Sequence, residues 1–247
     1  MKIIVLTAIP HEYKIACQAL KVANDKVYEK EKNHSLYTIL TGPGKACAAQ
    51  STADVIAKLN PDLIIDSGAC AGIASNLKIG DLILAFNAYE IDLGYNQIPS
   101  KIKNNMKIDS SLSNLPFKYI QMLKDKACNL AQRQGIRLIF GKQACGERCL
   151  NSKLEKEKIA RVFKVDGFCW ETAAVFLAAR RSGKPALSLR AVTDLGDEKA
   201  LIDFRYNLKR VMPSLYDFIN LLQKNSWLEE VLNMWKRLSE RLKKPVF

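Results

Sequence analysis

Residues 165–197, VDGFCWETAAVFLAARRSGKPALSLRAVTDLGD, decide how this chain folds. An apolar approach reaches Trp170-Glu171, and the small-residue run that follows predicts a helix over Thr172–Arg181. Gly183 and Pro185 stop that helix, as residues without a Cβ or a backbone N–H commonly do. Ala186–Val192 then reads as a buried strand that ends abruptly in Thr193-Asp194. A helix followed by a buried strand is one unit of an α/β sheet, and ligands of such sheets lie beyond the carboxyl ends of the strands. Asp194 stands at that end. Glu171 has two readings, an acid that complements the dipole of the following helix or a ligand contact. Two carboxylates on one helix–strand unit favour the second.

A length of 247 residues fits one large α/β domain. With 48% hydrophobic and 26% charged residues the composition excludes a disordered chain. No apolar run approaches the ~20 residues a membrane-spanning helix needs. The opening MKIIVLTAIPHEYK reaches charges too soon for a signal peptide. Seven cysteines, several inside helix or strand patterns, read as reduced thiols of a cytoplasmic protein. Cys145 and Cys149 have the spacing of a metal pair, but His11 and His34 are the only histidines and neither is in ligand spacing with them. The net charge of +13 points toward anionic partners. Its lysines, however, alternate with acids, as in Glu29–Lys32 and Lys153–Lys158, which is the pattern of a solvated surface rather than a nucleic-acid face.

Along the chain, Lys2–Ala8 reads as a first parallel strand and Pro10 as the start of a helix whose first turn holds Glu12. Glu12 is either a dipole-complementing acid or a base at the tip of that strand. Leu36–Thr41 predicts a strand entering Gly42-Pro43-Gly44-Lys45, a tight turn into a helix over Ala46–Leu59 that lacks the spacing of a phosphate-binding Walker loop. Asp62–Asp66 predicts a strand, followed by six small residues, Ser67–Gly72, where backbone can approach a flat ligand or a helix closely. Leu82–Tyr89 is a further strand. The polar stretch Ile91–Leu115 is expected as a long loop covering a pocket. Phe117–Gln134 reads as a helix, Ile136–Phe140 as a strand, and Ser152 with Glu155 as a capping box for a helix to Phe163. Pro213 is expected to open a helix over Ser214–Gln223. The last helix, about Trp227–Leu242, carries one apolar stripe and a basic remainder. Such a helix packs on its own domain or a partner subunit, or rests on a membrane surface.

With these motifs assembled, the chain resembles the nucleoside phosphorylase superfamily, and within it the methylthioadenosine/S-adenosylhomocysteine nucleosidases. The likeness rests on MKIIVLTAIPHE, TGPGKACAA, DSGACAGIASNLKIGDLIL, the pair Trp170-Glu171 and LRAVTDLGD, in family order from Met1 to about Lys224. It implies a three-layer α/β/α sandwich with a mixed central sheet partly closed toward a barrel, occupying residues 1–224. Residues 225–247 then form a basic amphipathic extension. It implies a purine nucleoside as substrate, hydrolysis of its N-ribosidic bond, no metal or organic cofactor, and a homodimer. Asp194 would protonate the purine and Glu12 would activate water. Glu171 would hold the ribose, with Trp170, Leu150, Ala71, Phe204 and Thr193 also lining the substrate. The family's phosphorylases carry arginines for phosphate, and none is placed here; Lys45 alone is a thin substitute. Cys149, Cys169 and Trp170 stand where the nucleosidases have phenylalanine, glutamate and methionine, which bears on substrate choice. Phosphorolysis, and a binding protein without turnover, are the alternatives. The tail also has a weaker likeness to hopanoid-associated nucleoside phosphorylases, whose substrates are lipid-linked.

Overall fold

A computed structural model describes residues 1–22, 29–30, 34–92 and 106–243. Its strands are β1 (Lys2–Thr7), β2 (Glu29–Lys30), β3 (His34–Leu40), β4 (Leu63–Gly72), β5 (Leu82–Glu90), β6 (Lys107–Asp109), β7 (Leu138–Cys145), β8 (Gly167–Cys169) and β9 (Ala186–Asp194). Its helices, numbered here along the described chain, are α1 (Pro10–Leu20), α2 (Lys45–Leu59), α3 (Phe117–Gln132), α4 (Lys153–Phe163), α5 (Thr172–Arg181), α6 (Ala200–Lys224) and α7 (Trp227–Lys243).

One mixed sheet runs β2-β3-β1-β4-β8-β7-β5-β6, and β9 pairs with both β4 and β5. The pairings β4–β9, β9–β5, β5–β7, β7–β8 and β8–β4 form a closed ring, so half of the sheet is a barrel and the β1–β3 side remains an open sheet. Register shifts between Cys70 and Ala71 and between Ala85 and Asn87 supply the local bends that closure needs. Alternate residues of a strand point to opposite faces. Ile3 and Val5 of β1 join a core with α1, α3, α6 and α7, whereas Ile4 and Leu6 join a core with α2 and α5. The result is the expected three-layer α/β/α arrangement.

Several boundaries differ from the sequence reading. The strand expected to stop at Asp66 continues through the small residues to Gly72, and the one expected to stop at Phe140 continues to Cys145. Both extensions are strands of the closed ring, β4 paired with β9 and, at Ala71 and Gly72, with β8, and β7 paired with β5 and β8, and there small residues give the space that closure needs. Pro213 does not open a helix; it lies inside the 25-residue α6. A proline there deprives the carbonyl four residues earlier, on exposed Lys209, of its N–H. The buried neighbours Val211, Met212, Leu215 and Tyr216 hold the helix together across it. Ser152 caps α4 through the Glu155 N–H, and the Glu155 carboxylate bonds Arg148. The cover expected over Ile91–Leu115 falls largely on residues 93–105, outside the described residues; its described end holds β6 and a 3₁₀ turn, Ser111–Asn114.

The apolar stripe of α7 is built into the same core as the rest. Trp227, Leu228, Val231 and Leu232 are buried, and the Trp227 indole donates to the Leu123 carbonyl at 2.9 Å. That face is therefore covered by α3 and α6. Among the described residues no helix is long and apolar enough to cross a membrane.

Candidate active site

Strands β4 and β9 lie side by side, in parallel, and end at the same side of the sheet. Their ends, the start of α1, the β8–α5 turn and the start of α6 enclose a cavity of about 280 Å³, near the lower end of small-molecule pockets, roughly 300–1,000 Å³. Its lining includes Glu12, Ala71, Leu150, Trp170, Glu171, Thr193, Asp194 and Phe204. All eight residues singled out in the sequence therefore meet at one cavity.

The three carboxylates have different surroundings. Glu12, in the first turn of α1, is buried. Its Oε1 accepts from the Ala69 N–H at 2.8 Å and its Oε2 from the Ala8 N–H at 3.3 Å. Burial pushes its pKa up to about 7, against the opposing pull of the Arg190 charge and these two N–H groups. Its nearness to β4 requires Gly68: a Cβ there would stand 2.9 Å from Glu12 Oε1, on a backbone with φ of +152°. Any side chain at that position would push Glu12 off the Ala69 amide.

Glu171 occupies the N-cap position of α5, yet its side chain makes no cap bond. It crosses the site instead. Its Oε1 accepts from the Gly44 N–H at 3.2 Å, at the start of α2, and its Oε2 pairs with Arg190 at 3.1 Å. The dipole that this carboxylate meets belongs to the opposite helix.

Asp194 closes β9, where its Oδ1 accepts from the Gly196 N–H and its Oδ2 from the Thr193 hydroxyl, each at 3.1 Å. Burial raises its pKa to about 6; those two donors oppose the rise, and Asp203 and Asp197 add to it.

Arg190 is the site residue that the sequence reading missed. Its signal was present: a cation in the middle of the apolar run ALSLRAV needs a buried partner. Its guanidinium, 2% exposed, binds Asp66 through Nη2 at 2.6 Å and Nε at 3.2 Å, and Glu171 and the Ala69 carbonyl through Nη1. Asp66 Oδ2 also accepts from Thr172 at 2.6 Å and Ser188 at 2.8 Å. One cation thus faces Asp66, Glu171 and Glu12, and the cavity carries an excess of acid over base.

The remaining wall is apolar. Ile9, Ala71, Leu150, Phe168 and Phe204 line it, as does Trp170, which is fixed by an indole bond to the Arg148 carbonyl at 2.9 Å. Flat apolar walls with a few placed polar groups suit an aromatic ligand. Lys45 is directed away from phosphate binding, with its ammonium on Glu90 at 2.7 Å and on Asp92. Cys145 and Cys149 are not neighbours in role: the first is buried on β7, and the second is exposed at the cavity.

A partly closed mixed sheet with carboxylates gathered at its strand ends and an apolar slot between them defines an α/β protein built for a small polar-edged aromatic ligand. The chain belongs to the phosphorylase superfamily, whose family profile matches residues 2–222. The match ends just before α7. Among curated relatives, it is 28% identical over 217 residues to the aminodeoxyfutalosine nucleosidase of Campylobacter jejuni, covering 83% of this chain and 90% of that one. It is 26% identical over 221 residues to a 5'-methylthioadenosine/S-adenosylhomocysteine nucleosidase of Buchnera aphidicola, covering 83% and 87%. Its fold is shared with a futalosine hydrolase mutant of Helicobacter pylori, with a TM-score of 0.76 at 22% identity covering 91% and 99% of the two chains. It is shared too with the 5'-methylthioadenosine/S-adenosylhomocysteine nucleosidase of that organism, with a TM-score of 0.75 at 23% identity covering 91% and 98%.

Proposed function

We propose that this protein hydrolyses the N-ribosidic bond of a purine nucleoside, an adenosine carrying a 5' substituent, and releases the free base. The observation that carries this reading is the set of three carboxylates, each differently held, around one apolar slot whose single buried cation is already neutralised. The names of the curated relatives support it, since both are nucleosidases.

The chemistry assigns each acid a task. Breaking the C1'–N9 bond leaves positive charge on the sugar, which Glu171 and Glu12 stabilise. The departing purine is a poor anion, so Asp194 delivers a proton to it at N7. Water attacks C1' from the other face, its oxygen bonds to carbon, and its proton passes to Glu12. Phosphorolysis is disfavoured by the same geometry. A phosphate would meet surplus carboxylate, and Arg190 and Lys45 both already hold acids. Release of base from a panel of 5'-substituted adenosines, with and without phosphate, tests the reading; release that requires phosphate overturns it.

The acid–base pair predicts a particular pH profile. Catalysis needs Asp194 protonated and Glu12 ionised, yet Glu12 has the higher pKa, about 7 against about 6. The two ionisations overlap near pH 6.5. The expected kcat/KM profile is a narrow bell centred near pH 6.5, falling on the acid side as Glu12 protonates and on the alkaline side as Asp194 ionises. A flat profile between pH 5 and 8 would remove this pair from the mechanism.

With the reaction go the homodimer and the cytoplasmic location implied by the family likeness. Ile202 and Tyr206, 72% and 78% exposed on α6 beside Phe204, support a subunit contact at the cavity mouth. Sedimentation is expected to give a dimer that Tyr206→Glu disperses; a wild-type monomer at micromolar concentration overturns that part.

A further inference from the structure

Beneath the cavity two thiols face each other. Cys145 ends β7 and Cys169 ends β8, and the two are register partners on adjacent parallel strands. Neighbouring strands lie about 4.8 Å apart, inside the roughly 4.4–6.8 Å Cα separation that a disulfide spans. Their sulfurs are 3.5 Å apart. Both residues are buried, but they are not equivalent. Cys169 lines the cavity, whereas Cys145 lies behind it and accepts the Ala173 N–H at 3.2 Å.

We propose that Cys145 and Cys169 are a reversible oxidation site, joined as a disulfide by hydrogen peroxide that enters through the cavity. Cys169 is the attacking sulfur because the cavity exposes it to the oxidant and Cys145 is shielded. Its charge is also the better supported: burial disfavours the Cys169 thiolate, but the Cys145 thiol and the Arg190 cation outweigh it and hold the pKa below that of an ordinary cysteine. Burial, followed by the bond to Cys169, pushes the Cys145 thiol well up, so it keeps its proton.

The steps balance. The Cys169 sulfur attacks one peroxide oxygen, the O–O bond breaks, and the departing hydroxide takes the thiol proton as water, leaving a sulfenic acid. Cys145 then attacks the Cys169 sulfur, the S–S bond forms, and the hydroxyl leaves with the Cys145 proton as a second water. Two thiols have lost two hydrogens and one peroxide has become two waters. A dithiol reverses the reaction by two exchange steps.

Closing the bond draws the Cys169 sulfur toward β7. It then moves off the Thr172 hydroxyl, 3.0 Å away, which donates to the Asp66 carboxylate that holds Arg190. Trp170 and Glu171 follow Cys169 directly in the chain. The oxidised form is therefore impaired at the site.

Trypsin separates the candidates cleanly. Cys145 lies in QACGER, Cys149 in CLNSK and Cys169 in VDGFCWETAAVFLAAR. After mild hydrogen peroxide and alkylation of remaining thiols, QACGER is expected bonded to VDGFCWETAAVFLAAR, and dithiothreitol is expected to separate them. A bond from Cys169 to Cys70 or Cys149, or Cys169 recovered only as the free thiol or the sulfinic acid, overturns the proposal. The effect on base release rests on the function proposed above, whereas the peptide bond pair does not, so mapping and turnover fail separately. Where turnover is present, peroxide is expected to lower it at least about tenfold, with recovery in dithiothreitol. Cys145→Ala, which lacks the resolving thiol, is expected to carry Cys169 on to the sulfinic acid and to lose turnover that dithiothreitol does not restore; recovery equal to the parent's in that variant overturns the link between the bond and the site.

Discussion

Asp194→Asn is expected to reduce release of free purine by about a thousandfold, within the range a positioned general acid contributes, while leaving the fold intact. Asparagine matches the carboxylate in size: its carbonyl oxygen still accepts from the Gly196 N–H, and its amide nitrogen donates to the Thr193 oxygen while that hydroxyl turns to the Cys70 carbonyl, so the β9–α6 junction stays bonded. The proton is what disappears. The loss should fall on kcat more than on KM, because the base still fits the wall of Leu150, Phe168 and Phe204. A second signature separates this from general damage: the alkaline limb of the pH profile, along which Asp194 ionises, vanishes with the residue. Single-turnover base release on both proteins measures it. An Asp194→Asn protein within tenfold of the parent would remove Asp194 as the acid.

How much of this was readable from sequence follows from what each residue has to do. The helix–strand unit over residues 172–194 was legible because a small-residue helix and an apolar strand have different periods and Gly183 with Pro185 punctuates between them. Asp194, Glu171 and Glu12 were legible as acids at the ends of elements, where a core has no use for them. Ring closure was not. It depends on β9 pairing with both β4 and β5, a non-local fact that no local pattern encodes. For the same reason the strands were read as ending at Asp66 and Phe140, since the small residues that follow each do not show whether a strand goes on. Pro213 misled because a proline is a breaker only where packing is weak, and α6 is buried on both sides of it. Arg190 was overlooked for a different reason: its partner Asp66 is 124 residues away in sequence, so the pair appears only in three dimensions.

That buried pair has the largest expected effect on stability. Replacing Arg190 by Met keeps much of the volume and removes the cation that, among the described residues, is buried with Asp66, Glu171 and Glu12. Asp66 retains the Thr172 and Ser188 hydroxyls, but Glu171 keeps only the Gly44 N–H. Breaking one side of a buried ion pair costs about 3–5 kcal/mol, because the surviving charge stays desolvated. Urea denaturation at pH 8 is expected to show a loss of that size. Its pH dependence carries the mechanism. Arg190 lowers the pKa of Glu12, so in its absence that pKa rises further above the value in the unfolded chain. A carboxylate with a raised folded-state pKa contributes its stability below the unfolded pKa and loses it as pH rises through the folded one. The gap between variant and parent should therefore be widest above pH 7 and should narrow as pH falls toward 5. Asp66→Asn on the Arg190→Met background removes one of the stranded charges and should recover part of the loss, giving a favourable coupling in a double-mutant cycle. A loss that is independent of pH and additive with Asp66→Asn would mean that Arg190 acts through its packing alone, and the acid-rich site would need another source of balance.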